Sequence, residues 1–264
     1  MHSKTCRAAC KIAAFLALAP GAPAAEGEVY DVFAKTLAPF ASAVFGGGEG
    51  QPGAFVAECK VTAASGKTAA AQGAQLRLAV QRPDHLRADL AYNGQVLTAC
   101  RAGKEMWAAP ADAMKALARS AGIDTGNSAP DATSAPLIPL ALDAKMLAFL
   151  PVVFDVKDEG NEDIDGAPHR VLRFGLVPDL QKALKAEDFE ARVWIGDEHR
   201  PRRVTVGGKD HSIQVDIERL AFAPQFPEKA WQPAEGQEVL RLPGSALNEL
   251  FEEMLGQKVG EGAP

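Results

Sequence analysis

The feature that most constrains this fold is a run of alternating residues between positions 189 and 218. Apolar side chains occupy every second position in three successive segments, 189–195, 204–206 and 213–217. A period of two is typical of strands with one apolar side and one solvent-facing side. The links contain glycine, which tolerates the positive φ of hairpin turns. The pattern predicts a three-stranded antiparallel meander, whose apolar face must be covered by another part of the chain or by a ligand.

A second set of short strands is predicted between residues 54 and 109. Apolar and polar residues alternate in 75–81 and again in 86–90. Asn93-Gly94 is a strong signal for a two-residue hairpin turn, and it leads into a strand that begins near Val96. This region is therefore interpreted as a second antiparallel meander with short connections.

Helical periodicity is found in four places. Residues 28–45 carry one apolar stripe, and Pro39 is expected to kink or divide this helix. Residues 111–120 are predicted to form a short helix, and the mostly apolar segment 137–150 a buried helix or a lid. The last one, 244–256, is an amphipathic C-terminal helix. The acidic segment 161–166 is expected to be a solvated turn in which Asp165-Gly166 reverses the chain, and the Gly- and Pro-rich residues 121–136 an exposed loop.

The chain begins with features of a secretory signal peptide. A basic start is followed by the apolar run 12–18 and by Ala22-Pro23-Ala24, a small-residue cleavage motif. We therefore predict a signal peptide over residues 1–24 and a single mature domain over 25–264. The protein is expected to be periplasmic and monomeric.

Charge limits the classes of partner. Residues 1–24 contain three of the 28 basic residues and none of the 34 acidic ones, so the mature chain has 25 against 34, a net charge of −9. Such a surface disfavours nucleic acid and anionic membranes as main partners.

Only two cysteines, Cys59 and Cys100, remain after cleavage. In an oxidising compartment they can form one disulfide, or they can remain two separately buried thiols. The choice depends on strand order, which the sequence does not give.

Signals for catalysis and for metal binding are weak. The histidines of the mature chain are not at metal-ligand spacing, and no G-x-S-x-G motif is present. We therefore expect no metal, no cofactor and no catalytic residue, and hence a protein that is not an enzyme.

The strand groups and helices together predict an α+β fold. In this fold a single, strongly curved antiparallel sheet forms an incomplete β-barrel, and helices cover its open side. Such a sheet encloses more apolar surface than one or two helices fill, which favours an apolar ligand cavity.

The order of several motifs resembles the LolA-like superfamily, the periplasmic carriers and sorting factors of outer-membrane lipoproteins. The matching stretches are residues 81–87, 93–94, 103–107, 161–172, 193–195 and 200–204. The resemblance implies a half-open β-barrel with a cavity for acyl chains. It also implies that an arginine near the second strand holds a closed lid; Arg87 matches this position, and Arg82 is the other candidate.

We therefore expect a lipid- or lipoprotein-acyl-binding carrier whose partner is a lipid or an acylated protein. Its ligand-binding residues are predicted to be Leu76, Leu78, Val80, Leu86, Arg87, Leu90, Val96, Trp107, Met146, Phe149, Leu150, Phe174, Val193, Ile195, Val204, Val206, Ile213, Val215 and Ile217. The alternative is an interaction or sensor module of the same fold that regulates an envelope membrane protein. A secreted hydrolase ranks last.

Overall fold

The computed structural model describes residues 24–46, 49–103, 105–120, 147, 150–184 and 189–242. Several predictions lie outside these residues: most of the signal peptide, the loop 121–136, nearly all of the segment 137–150 with Met146 and Phe149, and the C-terminal helix 244–256. Within the described part of the chain, no helix is long and apolar enough to span a membrane.

The described chain contains four helices and eleven strands. The helices are α1 (Ala24–Phe45), α2 (Ala111–Ser120), α3 (Leu150–Val153) and α4 (Pro178–Leu184). The strands are β1 (Ala54–Gly66), β2 (Gln75–Gln81), β3 (His85–Tyr92), β4 (Gln95–Ala102), β5 (Glu105–Ala109), β6 (Phe154–Ile164), β7 (Ala167–Leu176), β8 (Glu190–Ile195), β9 (Pro201–Gly208), β10 (His211–Ala223) and β11 (Leu240–Leu242).

All eleven strands belong to one antiparallel sheet, in the order β11-β5-β4-β3-β2-β1-β10-β9-β8-β7-β6. The two meanders predicted from the alternation are its two halves, and they are joined where β1 pairs with β10. The sheet does not close, because β11 and β6 lie at opposite edges. The predicted α+β fold with one curved antiparallel sheet is confirmed.

Helix α1 packs diagonally across one face of the sheet, here called the helix face. Near its beginning, Val32 and Phe33 join a cluster with Leu172 and Val193. Near its end, Ala43 joins a second cluster with Phe55 and Val80 on β1 and β2. The apolar stripe predicted from the sequence is thus the surface that contacts the sheet.

Of the two alternatives for Pro39, division of the helix is wrong, because Pro39 lies inside a single element of 22 residues. The predicted turn at Asp165-Gly166 is present, but residues 161–164 are not part of it, because they form the end of the edge strand β6. Cross-strand arginines explain this: Arg170 Nη2 lies 2.7 Å from Asp158 Oδ2, and Arg173 Nε lies 3.1 Å from Glu159 Oε1.

On the opposite face, called the outer face, residues 224–239 cross β1 to β5. We call this segment the strap. Its 3-10 turn, Glu228–Trp231, places Trp231 against Val56, Cys100 and Trp107, and only 1% of Trp231 is exposed. The strap therefore covers part of the outer face of β1–β5, while Gln75, Arg77 and Val96 on that face are exposed.

Candidate functional site

Most of the predicted binding residues lie on the helix face. In the first half, register pairs Leu76 with Leu90, Leu78 with Ala88, and Val80 with Leu86. In the second half, the predicted residues that share this face are Phe174, Val193, Val204, Val206, Ile213 and Val215. Leu150 and Ile195 pack in the cluster around the beginning of α1. The alternation thus assigned these side chains to one surface, while ligand binding by them remains a prediction.

The helix face is covered unevenly. Val80, Leu150, Val193 and Ile195 are buried in contact with α1 or its clusters. Further along the same strands, large apolar side chains are only half-buried and stand outside both clusters: Leu76, Leu90, Leu97, Val206, Ile213, Val215 and Ile217. A contiguous group of large apolar residues that are only partly buried is the informative exception on a protein surface.

Part of this surface is a continuous row across five strands, which we call the cross-strand strip. Ladder register places Leu97 opposite Leu90, Leu90 opposite Leu76, Leu76 opposite Cys59, and Cys59 opposite Ile217. All five side chains are half-buried.

Three predicted site residues lie on the outer face instead. The tight turn at Asn93-Gly94 pairs Tyr92 with Gln95, so that Leu90 faces Leu97, and Val96 points the other way and is 54% exposed. In the next hairpin, Trp107 pairs with Cys100, and both residues lie on the outer face under the strap. Leu97 was not among the predicted binding residues, although counting pairs outward from the two-residue turn places it opposite Leu90 on the helix face.

Arg87 is the third of these residues, and its contacts do not support the lid role implied by the resemblance. Its Nη1 donates to the carbonyl oxygen of Ala230 in the strap at 3.0 Å, and its Nε to Asp89 Oδ1 at 3.0 Å. The guanidinium also lies 5.6 Å from the centre of the Trp107 ring. Arg87 thus holds the strap on the outer face. The other candidate, Arg82, lies at the end of α1, beside Gly46.

The two cysteines are free thiols. They lie on opposite faces, three ladder steps apart, or about 14 Å at the usual strand spacing. A disulfide requires Cα atoms within about 7 Å, so pairing is excluded in this fold. Burial raises the pKa of Cys59 to about 11 and that of Cys100 to about 12. Both thiols are therefore protonated and weakly reactive at neutral pH.

A cleft of about 580 Å³ lies where β8, β9 and β10 approach α4. None of the predicted site residues lines it. Its walls are Gln181, Phe189, Glu190, Ala191, Arg192, Thr205, Gly207, Gly208, Lys209 and Ser212. Much of its charge is already paired, because Glu190 binds Arg173 and Arg192 binds Glu159.

Nothing in the described part of the chain forms a group of three His, Cys, Asp or Glu side chains that could hold a metal ion. The described histidines are scattered. His169 lies 2.8 Å from the carbonyl oxygen of Ala167, and His85 contacts Asp84 and the ring of Trp231. These contacts are structural ones, within turns and beneath the strap.

Comparisons with solved structures find similar folds at low identity. The lipoprotein LppX of Mycobacterium tuberculosis is 15% identical, with a TM-score of 0.42 over 76% of this chain and 98% of that one. The MucA/MucB complex of Pseudomonas aeruginosa is 10% identical, with a TM-score of 0.43 over 79% of this chain and 62% of that one. A LolA superfamily protein of Nitrosomonas europaea is 9% identical, with a TM-score of 0.30 over 78% of this chain and 98% of that one.

No family model matches the sequence, and no curated protein matches it. The superfamily that the sequence resembles is represented among these similar structures.

Proposed function

We propose that the protein binds an acyl chain, from a lipid or from an acylated protein, on the helix face of the sheet. It does so in the periplasm and without covalent chemistry. The observation that carries this proposal is the half-buried apolar surface that continues beyond α1. Leu76, Leu90 and Ile217 belong to it, and none of them is in the clusters formed with α1.

The affinity comes from burying apolar surface. Each buried methylene contributes about 0.8 kcal/mol, so a chain that also covers the exposed part of these leucines and isoleucines gains on both sides of the contact. Exposed apolar area of this kind is typical of a binding surface.

The proposal is tested with protein purified without detergent. Native mass spectrometry is expected to show adducts with the masses of lipids, and the delipidated protein is expected to raise the fluorescence of a dansyl-labelled fatty acid. Leu76→Asp places a charge on the helix face and should weaken probe binding at least tenfold, since an unpaired carboxylate opposes an apolar ligand.

The matched control is Gln75→Asp, the preceding residue on the same strand, which is exposed and points to the outer face. It should bind the probe like the original protein. Absence of both lipid adducts and probe uptake would refute the proposal. If instead an envelope protein were retained in pull-downs and no lipid were found, the sensor-module alternative would replace it.

A further inference from the structure

The cleft between β8–β10 and α4 is not used by the proposed function, because its strand residues face the outer side of the sheet. Its volume of about 580 Å³ is large enough for a small molecule. Strand register places Glu190 opposite Gly207, and Gly207 opposite Ser212, in this cleft. Because Gly207 has no side chain, a gap remains between Glu190 and Ser212 in which a ligand can approach the backbone.

The walls of the cleft carry hydrogen-bonding groups. Gln181 contributes an amide from α4, and Ser212 Oγ lies 2.8 Å from Ser65 Oγ. A hydroxyl has one donor and two acceptor sites, so Ser212 keeps capacity for a further bond. Thr205 Oγ1 is buried and has no hydrogen-bond partner within the residues that the structure describes. Buried hydroxyls are normally bonded, so Thr205 indicates a partner that the empty cleft lacks.

The charges around the cleft cancel. Arg173 Nη1 donates to Glu190 Oε2 at 2.9 Å, while Glu159 lies 3.1 Å from Arg173 and 3.0 Å from Arg192. Two arginines and two glutamates thus alternate, and a charged ligand would have to break one of these pairs. A neutral ligand can use the N–H groups and lone pairs that they leave free. Lys209 adds a positive charge only at an exposed position, where salt screens it.

We propose that this cleft binds a neutral, polyhydroxylated ligand, a sugar of one or two rings, independently of the acyl chain. Polar walls require a ligand that carries donors and acceptors, because a buried polar group without a partner is unfavourable. The sugar hydroxyls bond to Ser212, to Gln181 and, after a rotation about χ1, to Thr205. Phe189, which is half-buried, supplies an aromatic ring on which the C–H side of a pyranose packs.

The test titrates the purified protein with glucose, N-acetylglucosamine, maltose and chitobiose, by saturation-transfer NMR and calorimetry. At least one of these sugars should bind at millimolar concentration, and glucose 6-phosphate should bind no more tightly than the neutral sugars. Thr205→Val keeps the shape of the side chain and removes the hydroxyl, so it should lower the affinity about three- to tenfold. It should not lower the melting temperature, because this hydroxyl has no partner in the free protein.

The matched control is Thr62→Val, since the Thr62 hydroxyl lies outside the cleft, donates to Asp216 and accepts from Gln214. This variant should lower the melting temperature and leave the sugar affinity unchanged. Phe189→Leu removes the ring and should also weaken sugar binding, which keeps the site testable if Thr205→Val alters folding.

Uptake of the dansyl-labelled fatty acid should be unchanged in the Thr205 and Phe189 variants. Four results would overturn the cleft assignment: binding of none of the neutral sugars, an affinity unmoved by both variants, tighter binding of glucose 6-phosphate, or competition between sugar and fatty acid. None of them decides the proposed function, because uptake of the fatty acid is measured separately.

Discussion

The outer faces of the two halves of the sheet differ, although the same alternation of apolar and polar residues produces both. Under the strap, the outer face of β1–β5 is buried and apolar, with Cys100, Trp107 and Trp231 packed together. On β7–β10 the outer face carries charged side chains in cross-strand ion pairs. The difference shows that alternation selects a face, while the segment that later covers that face decides whether polar or apolar groups are stable on it.

On the covered half, the strap is held by donors that point at its backbone. Trp107 Nε1 donates to the carbonyl oxygen of Trp231 at 2.9 Å, and the Cys100 thiol points at the same oxygen at 3.3 Å. Arg87 binds the preceding carbonyl, that of Ala230. A buried carbonyl without a partner costs about 1–3 kcal/mol, so this hydrogen bonding is required for the strap to pack there.

On the outer face of β6–β10, charged side chains pair with each other beside a buried cluster of Ile164, Val171 and Trp194. Arg203 and Asp216 form a two-pronged pair with distances of 2.6 and 2.8 Å. Glu159 lies between Arg173 and Arg192, at 3.1 and 3.0 Å. Such partly exposed pairs each contribute about 0–1 kcal/mol, much less than the packing of the strap.

The largest expected effect comes from removing the anchor of the strap. Trp231→Ala should lower the free energy of unfolding by about 3–5 kcal/mol, because it leaves a cavity against Cys100 and Trp107. Urea denaturation measures this value. The neighbouring Gln232→Ala, at an exposed position, should change it by less than about 0.5 kcal/mol. Equal effects of the two variants would show that the strap is not part of the core.

A smaller effect is expected for Arg87→Met, which keeps the aliphatic stem and removes the charged donor. Loss of the hydrogen bond to the Ala230 carbonyl should cost about 1.5–3 kcal/mol. Arg77→Met is the control on the same face, since Arg77 is 44% exposed and pairs with the same Asp89; it should cost under about 1 kcal/mol. Unlike a lid arginine, Arg87 should be dispensable for uptake of the dansyl-labelled probe, and a selective loss of uptake would restore the lid role.

The smallest effect on stability is expected for the Arg203–Asp216 pair on the outer face of β9 and β10, and it depends on pH. The hydrogen bonds and charge of Arg203 lower the pKa of Asp216 in the folded protein. A lowered carboxyl pKa stabilises the fold above the unfolded value of about 3.9, and that contribution is lost as the pH falls through the folded pKa. Asp216→Asn should therefore cost about 1 kcal/mol at pH 7, and the difference should shrink as the pH falls below about 4.

Urea titrations of both proteins across this range measure that difference, with Asp210→Asn in the exposed turn as the control. A difference that grows on acidification would contradict the assigned pair.

Local patterns in the sequence predicted much of this fold. The alternation in 75–81, 204–206 and 213–217 correctly grouped the side chains of each strand, and the apolar stripe of 28–45 correctly identified the surface of α1 that meets the sheet. Each of these features depends on side-chain periodicity within one element, and this periodicity can be read directly from the sequence.

What could not be predicted depends on pairing between distant elements. The strap is a loop in the sequence, and the spacing of residues does not reveal that it packs against β1–β5, where it buries Trp107 and binds Arg87. Likewise, the separation of Cys59 from Cys100 follows from strand order. The error at Val96 is different, because the register across Asn93-Gly94 was readable from the two-residue turn.

The pairing of β1 with β10 affects how the chain folds. Thr62 on β1 contacts Asp216 on β10, 154 positions later, so the ladder that joins the two halves cannot form until nearly the whole polypeptide is available. Closing so large a loop is entropically costly, and topologies dominated by distant contacts fold slowly. A newly made chain of this topology therefore completes its sheet later than one built from neighbouring hairpins alone.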